Sequence, residues 1–195
     1  MPTITRDSLM TLEAYAKVRK EFRANVMAHK KNRSMQLGDH VALLFEDEMT
    51  MRYQIQEMLR AERIFEQHGI QDELDAYNPL VPDGSNWKAT MMIQFPDIDE
   101  RRHALARMVG IQDRVWVQVE GCPKVYAVAD EDLERETEDK TSSVHFLRFE
   151  LDPAMKKALG SGANIRMGVD HPNYQATIDP VVATVRESLL KDLRF

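Results

Sequence analysis

Between Lys88 and Phe95, Ala89, Met91, Ile93 and Phe95 occupy alternate positions, with Lys88, Thr90, Met92 and Gln94 between them. Successive side chains of a strand point to opposite faces, so this segment predicts a half-buried strand that needs an apolar layer on one side. Helical periodicities flank it unevenly. Leu12, Tyr15, Val18, Phe22 and Val26 recur at spacings of three and four, which predicts an amphipathic helix from about Ser8 to Lys30. Gly38 and Asp39 break the chain, His40 to Glu46 reads as a strand, and Met49 to Tyr53 as a second one. A long helix is expected from about Gln54 to His68, with Gly69 as its C-cap.

The second half is richer in short extended runs. Asp97, with Glu100 three residues on, opens a helix that Gly110 ends. Val115, Val117 and Val119 form one arm of a hairpin that turns at Gly121-Cys122-Pro123 and returns over Lys124 to Ala129. Ser143 to Leu151 is a strand, Asp152-Pro153 opens a short helix closed by Gly160 and Gly162, Asn164 to Asp170 is a strand, and Val181 to Leu193 a terminal helix. Strands and helices do not alternate regularly. This favours an α+β fold, a mixed and largely antiparallel sheet of about six strands packed by N-terminal, central and C-terminal helices, over a doubly wound one. With 195 residues and no clear linker, residues 1–195 are expected to form a single domain.

The longest run of apolar residues is Val41 to Phe45, far short of the ~20 that cross a bilayer, so no membrane partner is expected. Arg6, Asp7 and Glu13 interrupt any secretory h-region, and the lone Cys122 suits a reducing compartment; a cytoplasmic location is the expectation. The net charge of −6 is unevenly spread. Residues 130–143 form an acidic surface loop of seven carboxylates against Arg135 and Lys140, a net of −5. Such a segment reads as solvated and mobile. From Lys17 to Arg33, seven basic residues face only Glu21, a net of +6 on a helix whose last turn suits cations. Nucleic acid is not the expected partner given the overall acidity. The basic helix is expected to pair with the acidic loop, within or between subunits, which leaves room for a homodimer.

Candidate chemistry rests on polar residues in apolar patterns. Ile55, Met58, Leu59 and Phe65 mark a helical stripe with Glu62 near its middle and Glu66 beside it. Such carboxylates need partners in a core, with Arg19 and His29 of the first helix as candidates, or they serve as metal ligands or bases. His145 shares the parity of Leu147, Phe149 and Leu151; His171 shares that of Ile165, Met167 and Val169 and follows Asp170. His145, Asp170 and His171 could bind zinc or iron if the two strands run antiparallel, which puts the rings at the same end; parallel strands would part them by about 15–20 Å at ~3.3 Å per residue. Cys122 lacks a neighbouring histidine and reads as a bystander thiol. The chain has no nucleotide-phosphate or nucleophile-elbow motif.

Leu44-Phe45-Glu46, the stretch Gln54 to Arg63, Asn78-Pro79-Leu80-Val81-Pro82, Thr141 to Phe149 and Gly168-Val169-Asp170-His171-Pro172-Asn173-Tyr174 together resemble an uncharacterised bacterial family, the domain of unknown function numbered thirty-five hundred and one. The resemblance runs from about Thr5 to beyond Tyr174. It supplies no catalytic residues. Genes of the family are often neighbours of rubrerythrin-like proteins and iron–sulfur oxidoreductases, which implies a place in redox metabolism. Two functions are therefore expected to compete: an accessory or interaction protein with a redox partner, and a metal-binding protein or metal-dependent enzyme using Glu62, His145, Asp170 and His171.

Overall fold

The computed structural model describes residues 3–195. It is α+β, and the strands divide into two antiparallel sheets instead of one. Helix α1 (Leu12–Lys31) leads into the hairpin β1 (Ser34–Leu37) and β2 (Val41–Glu46), then α2 (Glu48–Glu62), α3 (Gln67–Tyr77) and β3 (Asn86–Ile93). Next come α4 (Ile98–Arg107), β4 (Val115–Val119), β5 (Lys124–Tyr126), β6 (Val128–Ala129) and β7 (Val144–Glu150). The chain closes with α5 (Pro153–Gly160), β8 (Ile165–His171), β9 (Tyr174–Ile178) and α6 (Ala183–Leu190). The five-stranded sheet has the order β1-β2-β3-β7-β6, and the four-stranded sheet β5-β4-β8-β9.

One apolar core joins the sheets. Leu43, Phe45, Trp87, Met91, Leu147 and Phe149 enter it from the larger sheet, and Val115, Val117, Ile165, Met167 and Val169 from the smaller. Met155 and Leu159 of α5 and Val185 and Leu189 of α6 fill its end, where the indole N–H of Trp87 donates to the Leu189 carbonyl. Alternation in β3 thus has the predicted cause. A second cluster, Ile4, Met51, Ile55, Leu59 and Leu74, binds α2 and α3 together.

Three expectations change. Met49 to Tyr53 is the start of α2 and not a strand, because Asp47 caps that helix by accepting from the Thr50 N–H. The long helix ends at Glu62 instead of His68: Arg63 adopts a left-handed φ of 56°, and the Arg63 and Ile64 N–H groups both donate to the Leu59 carbonyl. Gly69 accordingly lies inside α3 and caps nothing. The expected 124–129 strand is divided as well. Ala127 donates to Val115, and the chain then crosses from the smaller sheet to pair β6 with β7.

Candidate functional site

The end of α2 decides the fate of the expected buried cluster. The stripe through Phe65 does not continue, so Glu62 and Glu66 are exposed and Phe65 itself is 73% exposed. Neither carboxylate meets Arg19 or His29. Arg19 instead grips Glu57 with both arms of its guanidinium, Nε to Oε1 at 2.7 Å and Nη2 to Oε2 at 2.9 Å, and the Tyr15 hydroxyl donates to the same Oε1. Hydrogen bonding from Arg19 holds Glu57 down at about 2.

His29 belongs to a different and deeper network. Its Nε2 lies 2.5 Å from Asp47 Oδ2, the carboxylate that caps α2. A carboxylate only accepts, so Nε2 carries the proton. Arg33, 1% exposed, stands between Asp47 and Asp192: its Nε donates to the Phe45 carbonyl and lies 3.4 Å from Asp47, while Nη2 donates to the Glu46 carbonyl and to Asp192 Oδ2. Nη1 donates to the carbonyl and hydroxyl of Ser188. Burial pushes Asp192 up to about 6 even with Arg33 beside it. Next to this network the Glu46 side chain is also buried; Thr50 and Thr90 donate to its two oxygens, and burial raises its pKa. Glu46, Arg33 and Asp192 are the buried ionisable groups that sequence reasoning passes over. The available signal was Leu44, opposite in parity to Leu43 and Phe45, which marks a strand covered on both faces.

The two histidines lie in different sheets, so the strand-direction question does not arise. His145 is fully buried. Its Nδ1 donates to Asp130 Oδ2 at 2.6 Å, and its Nε2 lies 2.8 Å from Thr141 Oγ1 and 3.1 Å from the Ser142 carbonyl. Asp130 and Thr141 are the two roots of the acidic loop, and one imidazole joins them. The loop is not simply solvated: Asp130 and Asp132 bind Arg135, Glu131 binds Arg148, and Glu136 accepts from the Gly110 N–H. Glu134, Glu138 and Asp139 remain exposed. His171 Nε2 donates to the Val109 carbonyl, and its Nδ1 accepts from Asn173. His171 thus holds the Val109 carbonyl, and Thr141, the neighbour of His145, lies 3.4 Å from Gln112 Oε1. Asp170 points away, to Lys124 and the Tyr126 hydroxyl. Glu62, His145, Asp170 and His171 do not converge, and among the described residues no three His, Cys, Asp or Glu side chains are grouped to hold a metal ion. Cys122 is a free, half-buried thiol in the β4–β5 turn.

An aspartate, an imidazole and a hydroxyl in line have the order that activates a nucleophile. Here the hydroxyl belongs to a threonine only 2% exposed, so the chemistry the arrangement performs as it stands is to fasten the loop. Nor does charge join the loop to α1: the partners of α1 and the Arg33 just beyond it are Glu13, Glu57, Asp47 and Asp192, and those of the loop are Arg135, Arg148 and His145.

This α+β architecture, with two antiparallel sheets on one core, has a solved counterpart. The chain belongs to the family described as protein of unknown function (DUF3501), whose model matches residues 3–193. It is similar to a crystal structure, at 1.90 Å, of a novel protein of unknown function from Burkholderia pseudomallei K96243, with 58% identity over 99% of this chain and 100% of that one, and a TM-score of 0.94. A comparison with curated proteins finds no match. No described helix is long and apolar enough to cross a membrane.

Proposed function

We propose that the protein is an accessory, non-catalytic member of a bacterial redox system that works by docking to an acidic protein surface. The observation that carries this reading is on α1. Lys20, Arg23 and Lys31 are exposed and bind no carboxylate among the described residues, and the three lie within one side of the helix at ~100° per residue. The redox assignment and the cytoplasmic location draw support from the gene neighbours that the family resemblance implies and from the single thiol. The same face can meet the exposed Glu134, Glu138 and Asp139 of a second copy, the form a homodimer would take.

Binding to rubrerythrin-like and iron–sulfur proteins, the kind that the family resemblance implies as gene neighbours, measured by biolayer interferometry, tests this. Affinity should fall steeply between low and physiological salt, because charges beyond a Debye length of ~8 Å are screened. Lys20→Glu/Arg23→Glu should abolish it without unfolding the chain. Absence of binding to either protein, or binding indifferent to salt and to the charge reversal, would overturn the proposal. Metal analysis of protein purified without chelator, beside its His145→Ala/His171→Ala variant, addresses the competing metal function; a stoichiometric ion lost in the variant would revive it.

A further inference from the structure

Lys88 is the one lysine placed on the outer face of a central strand. Its cross-strand neighbours are Glu46 on β2 and Arg148 on β7, and paired residues share a face. Neither gives it a counter-ion. Both oxygens of Glu46 are taken by Thr50 and Thr90, and Arg148, a like charge, binds Glu131 and Glu150. No carboxylate among the described residues lies within salt-bridge distance of Lys88. The half-buried amine lines a cavity of about 360 Å³ between this face and the α3 end, walled by Pro79, Leu80, Phe146 and Arg148. Burial lowers its pKa; Glu131 pulls the other way, and Arg148 adds to the lowering. A lysine becomes a nucleophile at neutral pH when it is desolvated, lacks a carboxylate partner and has a cation beside it.

We infer that Lys88 is a carbonyl-binding amine, which takes a small uncharged aldehyde or ketone from the cavity as an imine. Nζ forms a bond to the carbonyl carbon, and the carbonyl oxygen leaves as water with the two protons that nitrogen gives up; no electrons are exchanged. Asp75 lines the same cavity and binds no arginine among the described residues, and solvent at the open cavity supplies the proton to the departing oxygen. Asp75, Glu131 and Asp132 outnumber Arg148 on the lining, so with Lys88 neutral the cavity keeps a net negative charge that disfavours anionic carbonyl compounds.

The test uses the intact protein with butanal and sodium cyanoborohydride, which reduces an imine to a stable secondary amine. Peptide mass mapping at pH 7 should show Lys88 alkylated at least ten times faster than any of the other nine lysines. That preference should shrink as the pH approaches 10 and the exposed amines lose their protons. Glyoxylate, its anionic counterpart, should label Lys88 far less than butanal. Lys88→Arg, which keeps charge and length, should remove the fast phase and leave slow surface labelling. Labelling of Lys88 no faster than that of Lys20 or Lys140, in the unmodified protein and so independent of any variant's folding, would overturn the inference. Loss of partner docking through α1 would leave this result untouched.

Discussion

Arg33 and Asp192 meet at 2.5 Å with 1% and 3% of their surfaces exposed, and they tie the residue just after α1 to the turn just after α6. Guanidinium donors are all occupied around this pair, which is the condition under which a buried ion can be kept. Removing Arg33 strands Asp192 and the acceptors that the guanidinium serves. Arg33→Met should cost about 3–5 kcal/mol, and Arg33→Lys nearly as much, because an ammonium cannot serve the Phe45, Glu46, Ser188 and Asp192 acceptors together. Urea midpoints of the three proteins check the order.

Asp192 also sets a pH dependence. Its carboxyl ionises near its ordinary 3.8 once unfolded and near 6 when folded. Between those values the folded chain holds the extra proton, so its stability falls as pH rises, by ~1.4 kcal/mol per unit of difference, about 3 kcal/mol in all. Asp192→Asn lacks this slope. The variant should resemble the parent near pH 4 and gain on it steadily to pH 6. If the parent gains instead, the ionised Asp192–Arg33 pair outweighs burial.

His145 makes a local prediction. His145→Ala releases both roots of the acidic loop and leaves the Asp130 and Thr141 side chains without their shared partner. Lost buried hydrogen bonds cost about 1–3 kcal/mol, which is roughly 5- to 150-fold in local opening. Trypsin should cut the variant faster at Arg135 and Lys140, while amide exchange in β4 and β8 changes little. Equal protection across the molecule would mean that His145 serves the whole core and not the loop.

Gly168 on β8 is closely covered on the side its missing Cβ would occupy. A Cβ there would sit 2.5 Å from the Trp116 ring and 2.6 Å from the Ala176 carbonyl oxygen. The ring can tilt, but a carbonyl within the β8–β9 ladder cannot. Gly168→Ala should destabilise by about 1–3 kcal/mol and perturb Trp116 fluorescence.

Sequence patterns reveal a residue's surroundings only where one covering layer decides them. Ala89, Met91 and Ile93 alternate because a single core lies on one side of β3, so that strand was legible. Short β1 and the strand β9 carried no comparable period and were missed. Nothing in an alternating pattern says which of two sheets a strand joins, and β7 and β8 were wrongly brought together for that reason. Glu62 failed on a local event: Arg63 adopts the left-handed conformation that glycine usually signals. His145 was legible as buried, but its partners lie 15 and 4 residues back in a loop that composition marks as solvent. Glu46 and Lys88 were hidden because neighbouring helices, α2 and the end of α3, fold back over the second face of the sheet, which a strand's own alternation does not show.

Tyr174 closes the far edge of the larger sheet. Its hydroxyl donates to the Leu37 carbonyl and accepts from the His40 and Val41 N–H groups, and Gly38 leaves room for it. Three backbone groups at the β1–β2 turn thus depend on a phenol 137 residues downstream of Leu37. On the ribosome that hairpin must wait, bonded to water, until nearly the whole chain has emerged. The first strands made are among the last to be sealed.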